Sequence, residues 1–218
     1  MDNYLRYITD IILPGLTDTI VILLCTMIIT GTIGFVIGAA LYIFDEDGLK
    51  PCPKIHAVLS VSVNIMRSIP SVIFIIFLMP LARTVIGSAL GIQAAILYLS
   101  IMCCSFVGRI VDEKLKKVDA SLVDAVRSMG ISNTKIFFCF VVHEAVPSLV
   151  LGYTFATIVI LGVIAVAGLV GAGGIGTVAL NYGYYAFNDF VMYGSVFVMF
   201  LLTIGIQLLG RIVSHKLR

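Results

Sequence analysis

The sequence predicts an all-α integral membrane protein with five transmembrane helices, one short cytoplasmic helix, its N-terminus outside and its C-terminus inside. Three observations predict it. Hydrophobic residues make up 60% of the 218-residue chain and charged residues 12%, about half the charged share of an ordinary soluble domain. Charges are missing altogether from several long runs, and about 20 apolar residues cross about 30 Å of hydrocarbon. The basic residues that remain gather in a few connecting segments, as they do in loops held on the cytoplasmic side.

Helix one is expected between Asp18 and Asp45, where no residue is charged, with residues 1–18 as an extracytoplasmic lead-in. Asp2, Asp10 and Asp18 stand where a cleaved signal would carry basic residues, so this helix is expected to stay. The run Asp45-Glu46-Asp47-Gly48 and then Pro51, Pro53 and Lys54 ends it. Helix two is expected over about 57–81, interrupted by Arg67 and kinked at Pro70. Helix three falls between Arg83 and Arg109. Helix four is expected over about 147–170 and helix five over about 190–209, with an uncharged outer loop between them. The membrane domain is thus 19–210, with one sizeable polar loop at 109–146 and a cytoplasmic tail at 211–218.

Charge placement sets the orientation. Lys50, Lys54, Arg67, the loop residues Arg109, Lys114, Lys116, Lys117, Arg127 and Lys135, and the tail residues Arg211, Lys216 and Arg218 fall on one side. Only Arg6 and Arg83 fall on the other. The basic side is read as cytoplasmic, which requires an odd number of crossings. Net charge is only +2, so composition gives no reason to expect a nucleic-acid partner.

Within the polar loop, Ser121-Leu-Val-Asp-Ala-Val-Arg-Ser-Met-Gly130 describes a short helix with its own start and stop. Ser121 and Asp124 have the spacing of a capping box, and Gly130 is placed to take the left-handed conformation that ends a helix. Leu122, Val126 and Met129 share one face, with Ala125 beside it. That face must rest on lipid, on the chain's own helices, or on another subunit.

Asp124-Ala-Val, Gly130 and then Phe140-Val-Val-His143 resemble the coupling loop of bacterial ABC importer permeases. That pattern reads Glu-Ala-Ala, three residues, Gly, nine residues, Ile-x-Leu-Pro, and the nine-residue spacing is kept. Asp124 replaces Glu, Val126 replaces the second Ala and His143 replaces Pro; Pro147 is the candidate for the missing break. Arg67-Ser-Ile-Pro70, Arg127-Ser-Met-Gly130, Gly171-Ala-Gly-Gly-Ile-Gly176 and Tyr182-Gly-Tyr with Phe187 are similar to the permeases of methionine importers. The resemblance implies a homodimer in the bacterial inner membrane, an ATP-binding cassette subunit docked beneath each copy, and an extracytoplasmic binding protein that delivers methionine. It also implies that Ser121, Leu122, Asp124, Ala125, Val126, Met129 and Gly130 meet the ATPase. The chain has no GxxxxGK[ST] phosphate loop, so energy has to come from such a partner.

The remaining signals divide between two readings each. Gly171-x-Gly-x-x-Gly176 fits a dinucleotide fingerprint formally, but that motif needs a preceding strand, and a glycine-permitted turn at the pathway mouth fits its place after helix four. Arg67 either snorkels or pairs structurally, or it serves the pathway. Pro70, Tyr153, Thr154 and Thr157 are pathway candidates, while the small residues of helix four also suit close packing. An ABC permease for another small polar solute and an ATP-independent secondary transporter are the rivals. The latter usually carries intramembrane carboxylates or broken helices in matched halves. The five cysteines and three histidines show no metal-ligand spacing, and no cofactor is expected.

Overall fold

The computed structural model describes residues 2–217, so Met1 and the tail residue Arg218 lie outside the described part. It is helical throughout, with no strand among the described residues. The helices are α1 (Asp2–Tyr7), α2 (Leu13–Phe44), α3 (Pro53–Ser68), α4 (Ser71–Ile86), α5 (Ile92–Leu115), α6 (Ala120–Ser128), α7 (Asn133–Lys135), α8 (Val142–Ala167), α9 (Gly174–Val178) and α10 (Asp189–Lys216). Wider π-type turns join α1 to α2 over Ile8–Ile12 and α7 to α8 over Ile136–Val141. Among the described residues, four helical stretches are long and apolar enough to cross a bilayer: Tyr4–Phe44, Ile92–Leu115, Asn133–Val170 and Asp189–Lys216. The pair α3 and α4 supplies a fifth when taken together.

Four expectations need correction. The lead-in 1–18 is helical from Asp2 and runs into α2, because its acids are spaced among apolar residues that a helix can still pack. Helix two is two helices of 16 residues each, divided at Ile69–Pro70. Pro70 takes φ −56° and ψ 134°, an extended conformation that ends the ladder instead of bending it. Helix four begins with α7, so the segment through His143 and Glu144 is already helical, and Pro147 lies inside α8 without breaking it. Helix five continues to Lys216 and takes up most of the expected tail.

The chain forms two compact units. One comprises Met1–Ile29, Ile69–Cys103 and Thr157–Gln207. Its core gathers Ile12, Ile175, Val178 and Val191, with Tyr7, Leu16 and Met199 against them. Thr19 fastens the glycine segment to α2: its hydroxyl donates to the Gly15 carbonyl at 2.8 Å and accepts from the Ile175 N–H at 2.8 Å. The backbone N–H of Gly91 donates to the Gly171 carbonyl at 3.0 Å, so the loops after α4 and α8 meet.

The other unit comprises Thr30–Ser68, Cys104–Ala156 and Leu208–Arg218. Here α2 and α5 approach through Gly34, Gly38 and Gly108. A Cβ on Gly38 would stand 2.5 Å from the Gly108 carbonyl oxygen, the small-residue contact that lets membrane helices pack closely. Tyr153 of α8 donates to the Gly31 carbonyl at 3.0 Å, and Ser214 of α10 donates to the Pro147 carbonyl at 2.9 Å. Each is a polar bond between helices where lipid offers no partner.

Candidate coupling site

The loop after α5 carries the site. Its short helix α6 starts one residue before Ser121, and the cap is Asp119, whose carboxylate accepts from the Ser121 N–H at 2.9 Å. That contact holds the exposed Asp119 carboxyl below the usual carboxylate range. The capping-box reading of Ser121 with Asp124 is therefore corrected. Aspartate at 119 already satisfies a free N–H of the first turn, and Asp124 is left exposed further along the helix. The stop falls where expected: Gly130 sits at φ +73° with nothing within 4 Å of where its Cβ would be.

The apolar face divides in two. Val126 is 6% exposed, Leu122 and Val123 are half-buried, and α6 packs on the Ile136–Val141 turn, so this side is satisfied by the chain itself. Met129 is 75% exposed, and Ala125, one helical turn before it, is exposed too. Together with Gly130 they make the part of the helix that lacks a partner within the chain.

A second segment, the Asp45–Leu49 turn, contacts residues before, on and after α6. It is folded on itself by Gly48 N–H to Asp45 O at 3.0 Å and Lys50 N–H to Ile43 O at 2.9 Å. Lys116, ahead of α6, contacts the Asp45 carboxylate directly and lies 3.3 Å from Asp112, whose side chain is buried. Arg109 pairs with the same Asp112 at 3.1 Å. From α6 itself Arg127 donates to the Gly48 carbonyl at 3.4 Å, and after it in the chain Asn133 donates to the Leu49 carbonyl at 2.9 Å. Partial burial works to raise the Asp45 carboxyl, but Lys116 and the Glu46 N–H outweigh it and hold it low. Burial likewise works against the Lys116 ammonium, yet the carboxylates of Asp45 and Asp112 leave it raised. A cleft of about 350 Å³ opens between the turn and α6, lined by Tyr42, Asp47, Asp124 and Arg127 among others. Sequence reading missed Asp45, Asp112, Lys116 and Asn133 as one cluster. The signal present was the acidic run at 45–47 facing a basic run at 114–117.

The other candidates are dispersed. Arg67 closes α3, exposed, with its guanidinium carbon 5.8 Å from the Phe106 ring centroid. That is a cation–π contact. Pro70 begins α4. Tyr153 is tied to Gly31, and Thr154 bonds back to the Val150 carbonyl at 2.8 Å while packing where Gly210 has no side chain. Both side chains thus make contacts within the helix packing. Thr157 is half-buried in the other unit. Gly171 and Gly173 take φ +76° and +87°, and Gly176 is buried so close to α8 that a Cβ would lie 2.3 Å from the Ala165 carbonyl oxygen. Beside Gly173 a cleft of about 210 Å³ also touches Asp10, Asp18, Thr177 and Tyr182. Among the described residues no group of His, Cys, Asp and Glu is placed to hold a metal ion.

Residues 48–218 match the family described as the binding-protein-dependent transport system inner membrane component. The chain is 30% identical over 199 residues to a probable D-methionine transport system permease protein of Haemophilus influenzae, covering 91% of this chain and 93% of that one. It is 33% identical over 176 residues to the methionine import system permease protein of Bacillus subtilis, covering 80% and 79%. A chain of the MetNI methionine ABC transporter, solved in inward-facing conformations, superposes with a TM-score of 0.94 at 29% identity over 97% of this chain and 98% of that one. The chain belongs to the inner-membrane component family of binding-protein-dependent transport systems, as a multi-pass permease of the bacterial inner membrane.

Proposed function

We propose that two copies of this chain form the transmembrane pathway of an ATP-driven methionine importer, powered by ATP-binding cassette subunits docked at α6 and supplied by an extracytoplasmic binding protein. The observation that carries the coupling is α6 itself: a nine-residue helix closed at both ends, buried along Val126 and open at Ala125, Met129 and Gly130. A helix so fixed can act as a rigid lever. When the ATPases close on ATP they hold the levers in one arrangement, and when they part they release them. The membrane helices then alternate between inward-open and outward-open states through differential binding to two conformations. Methionine as the solute rests on the names of the H. influenzae and B. subtilis relatives and of the MetNI neighbour.

The orientation N-outside, C-inside is part of this reading. The turn after α2 and the loop after α5 meet within one unit, and the loops after α4 and α8 meet within the other. Such pairing is what a five-fold crossing produces, with α3 and α4 together as one span. The basic segments then lie on the ATPase side.

The test is reconstitution of the permease with its ATPase and binding protein in vesicles, following labelled methionine. ATP-dependent uptake that excess unlabelled methionine abolishes is expected. Uptake at full rate by the permease alone without nucleotide would overturn the reading in favour of a secondary transporter, and uptake competed only by another solute would overturn the assignment of methionine. Gly130→Val sharpens it: its Cβ has room, but a β-branched residue at positive φ costs on the order of 1–2 kcal/mol, so the helix end should shift, with hydrolysis kept and uptake lost.

A further inference from the structure

We infer that the Asp45–Leu49 turn is a brace that transmits movement of α6 to the membrane helices, with Lys116 fastening it ahead of the helix and Asn133 behind. The inference rests on the permease reading above and adds the residues through which the lever is anchored. A helix of nine residues is marginal alone. Were it joined to the bundle by slack linkers, its displacement would be absorbed in them. Here both flanks are tied to one structure. Lys116, between α5 and α6, bridges the carboxylates of Asp45 and the buried Asp112, while Asn133, at the start of α7, donates to the Leu49 carbonyl at 2.9 Å. Arg127 on α6 adds a third tie at the Gly48 carbonyl.

The turn is suited to carry load. Gly48 and Leu49 are buried, Leu49 at 4% exposure, and a Cβ on Gly48 would stand 2.4 Å from the Tyr42 carbonyl oxygen. The turn is therefore pressed onto the last turn of α2 and offers its Gly48 and Leu49 carbonyls to the loop. Asp112 belongs to α5 and Asp45 immediately follows α2. A push on α6 consequently reaches the ends of two membrane helices through charge-assisted and neutral hydrogen bonds, short contacts with little give.

The experiment uses the whole transporter, permease with ATPase and binding protein, in vesicles, and reads methionine taken up per ATP hydrolysed. Variants are Lys116→Met, Asn133→Ala, their combination, and Lys116→Arg as the conservative partner. The double variant is expected to hydrolyse ATP within about twofold of wild type while uptake per ATP falls by roughly tenfold, the scale of losing a charge-assisted contact. Lys116→Arg should restore most of it. An unchanged ratio, or hydrolysis and uptake falling in step, would overturn the brace, since a purely structural contact lowers both together. If the double variant fails to assemble, Asn133→Ala alone, which removes one bond from an exposed side chain, decides the same ratio. Absence of ATP-dependent uptake in wild type sinks the permease reading and the brace with it, whereas wild-type uptake with an unchanged ratio in the variants sinks the brace alone.

Discussion

The coupling helix and the glycine segment after α8 are built on opposite terms. At α6 the backbone is capped and self-sufficient, and what matters is which side chains are left outward: Ala125 and Met129. From Gly168 to Gly176 what matters is the absence of side chains. Gly168 and Gly176 lie backbone to backbone, with the built Cβ of Gly168 at 2.5 Å from the Gly176 carbonyl carbon, and Thr19 and Thr177 bond their neighbours' amides. A segment open on one side tolerates substitution in its fold and fails in its partnership. A segment closed on all sides fails in its fold.

Gly176→Val should have the largest effect. The added carbons meet the Ala165 backbone, which cannot move aside, and overpacking of this kind costs about 3 kcal/mol or more. Loss of the monodisperse peak in detergent chromatography is the expected result; a normal peak would show that the two segments are less different than described. Met129→Asp should leave that peak intact and weaken ATPase co-purification by about tenfold or more, as when an apolar anchor at an interface is replaced by a charge. Asp119→Ala is the smallest change, the loss of one cap contact at the start of α6. Because the Asp119 carboxyl is held low, its contribution is fully present above the ordinary aspartate value of about 3.9 and is lost as pH falls through its lowered folded value. The wild-type and alanine proteins should therefore differ in melting temperature at pH 7 and converge as pH falls through the lowered value of the folded carboxyl; a constant gap would place the cap elsewhere.

Much of this was legible from the amino acids. Runs without charge marked the spans, because burial of apolar surface in lipid needs only composition and length. Gly130 and the short helix before it were readable because stop signals are local. The failures were those of competition between neighbours. Ser121 and Asp119 are both acceptable caps, and only the point where the ladder begins distinguishes them. His143 and Glu144 read as loop and Pro147 as the break before helix four, yet all three lie inside α8, because polar residues on one face do not stop a helix and a proline costs less where neighbouring helices hold it. The Asp45, Asp112, Lys116 and Asn133 cluster joins segments far apart in the chain, which no local pattern encodes.

The division between α3 and α4 has a consequence for hydration. With the chain extended at Pro70, carbonyls in the last turn of α3 lose their partners one turn ahead. Hydrocarbon cannot satisfy such groups, and irregular backbone inside a membrane persists only against protein or beside solvent. Carbonyl-stretch isotope shifts around Arg67 and Pro70 would therefore distinguish a dry seam from a water-filled one.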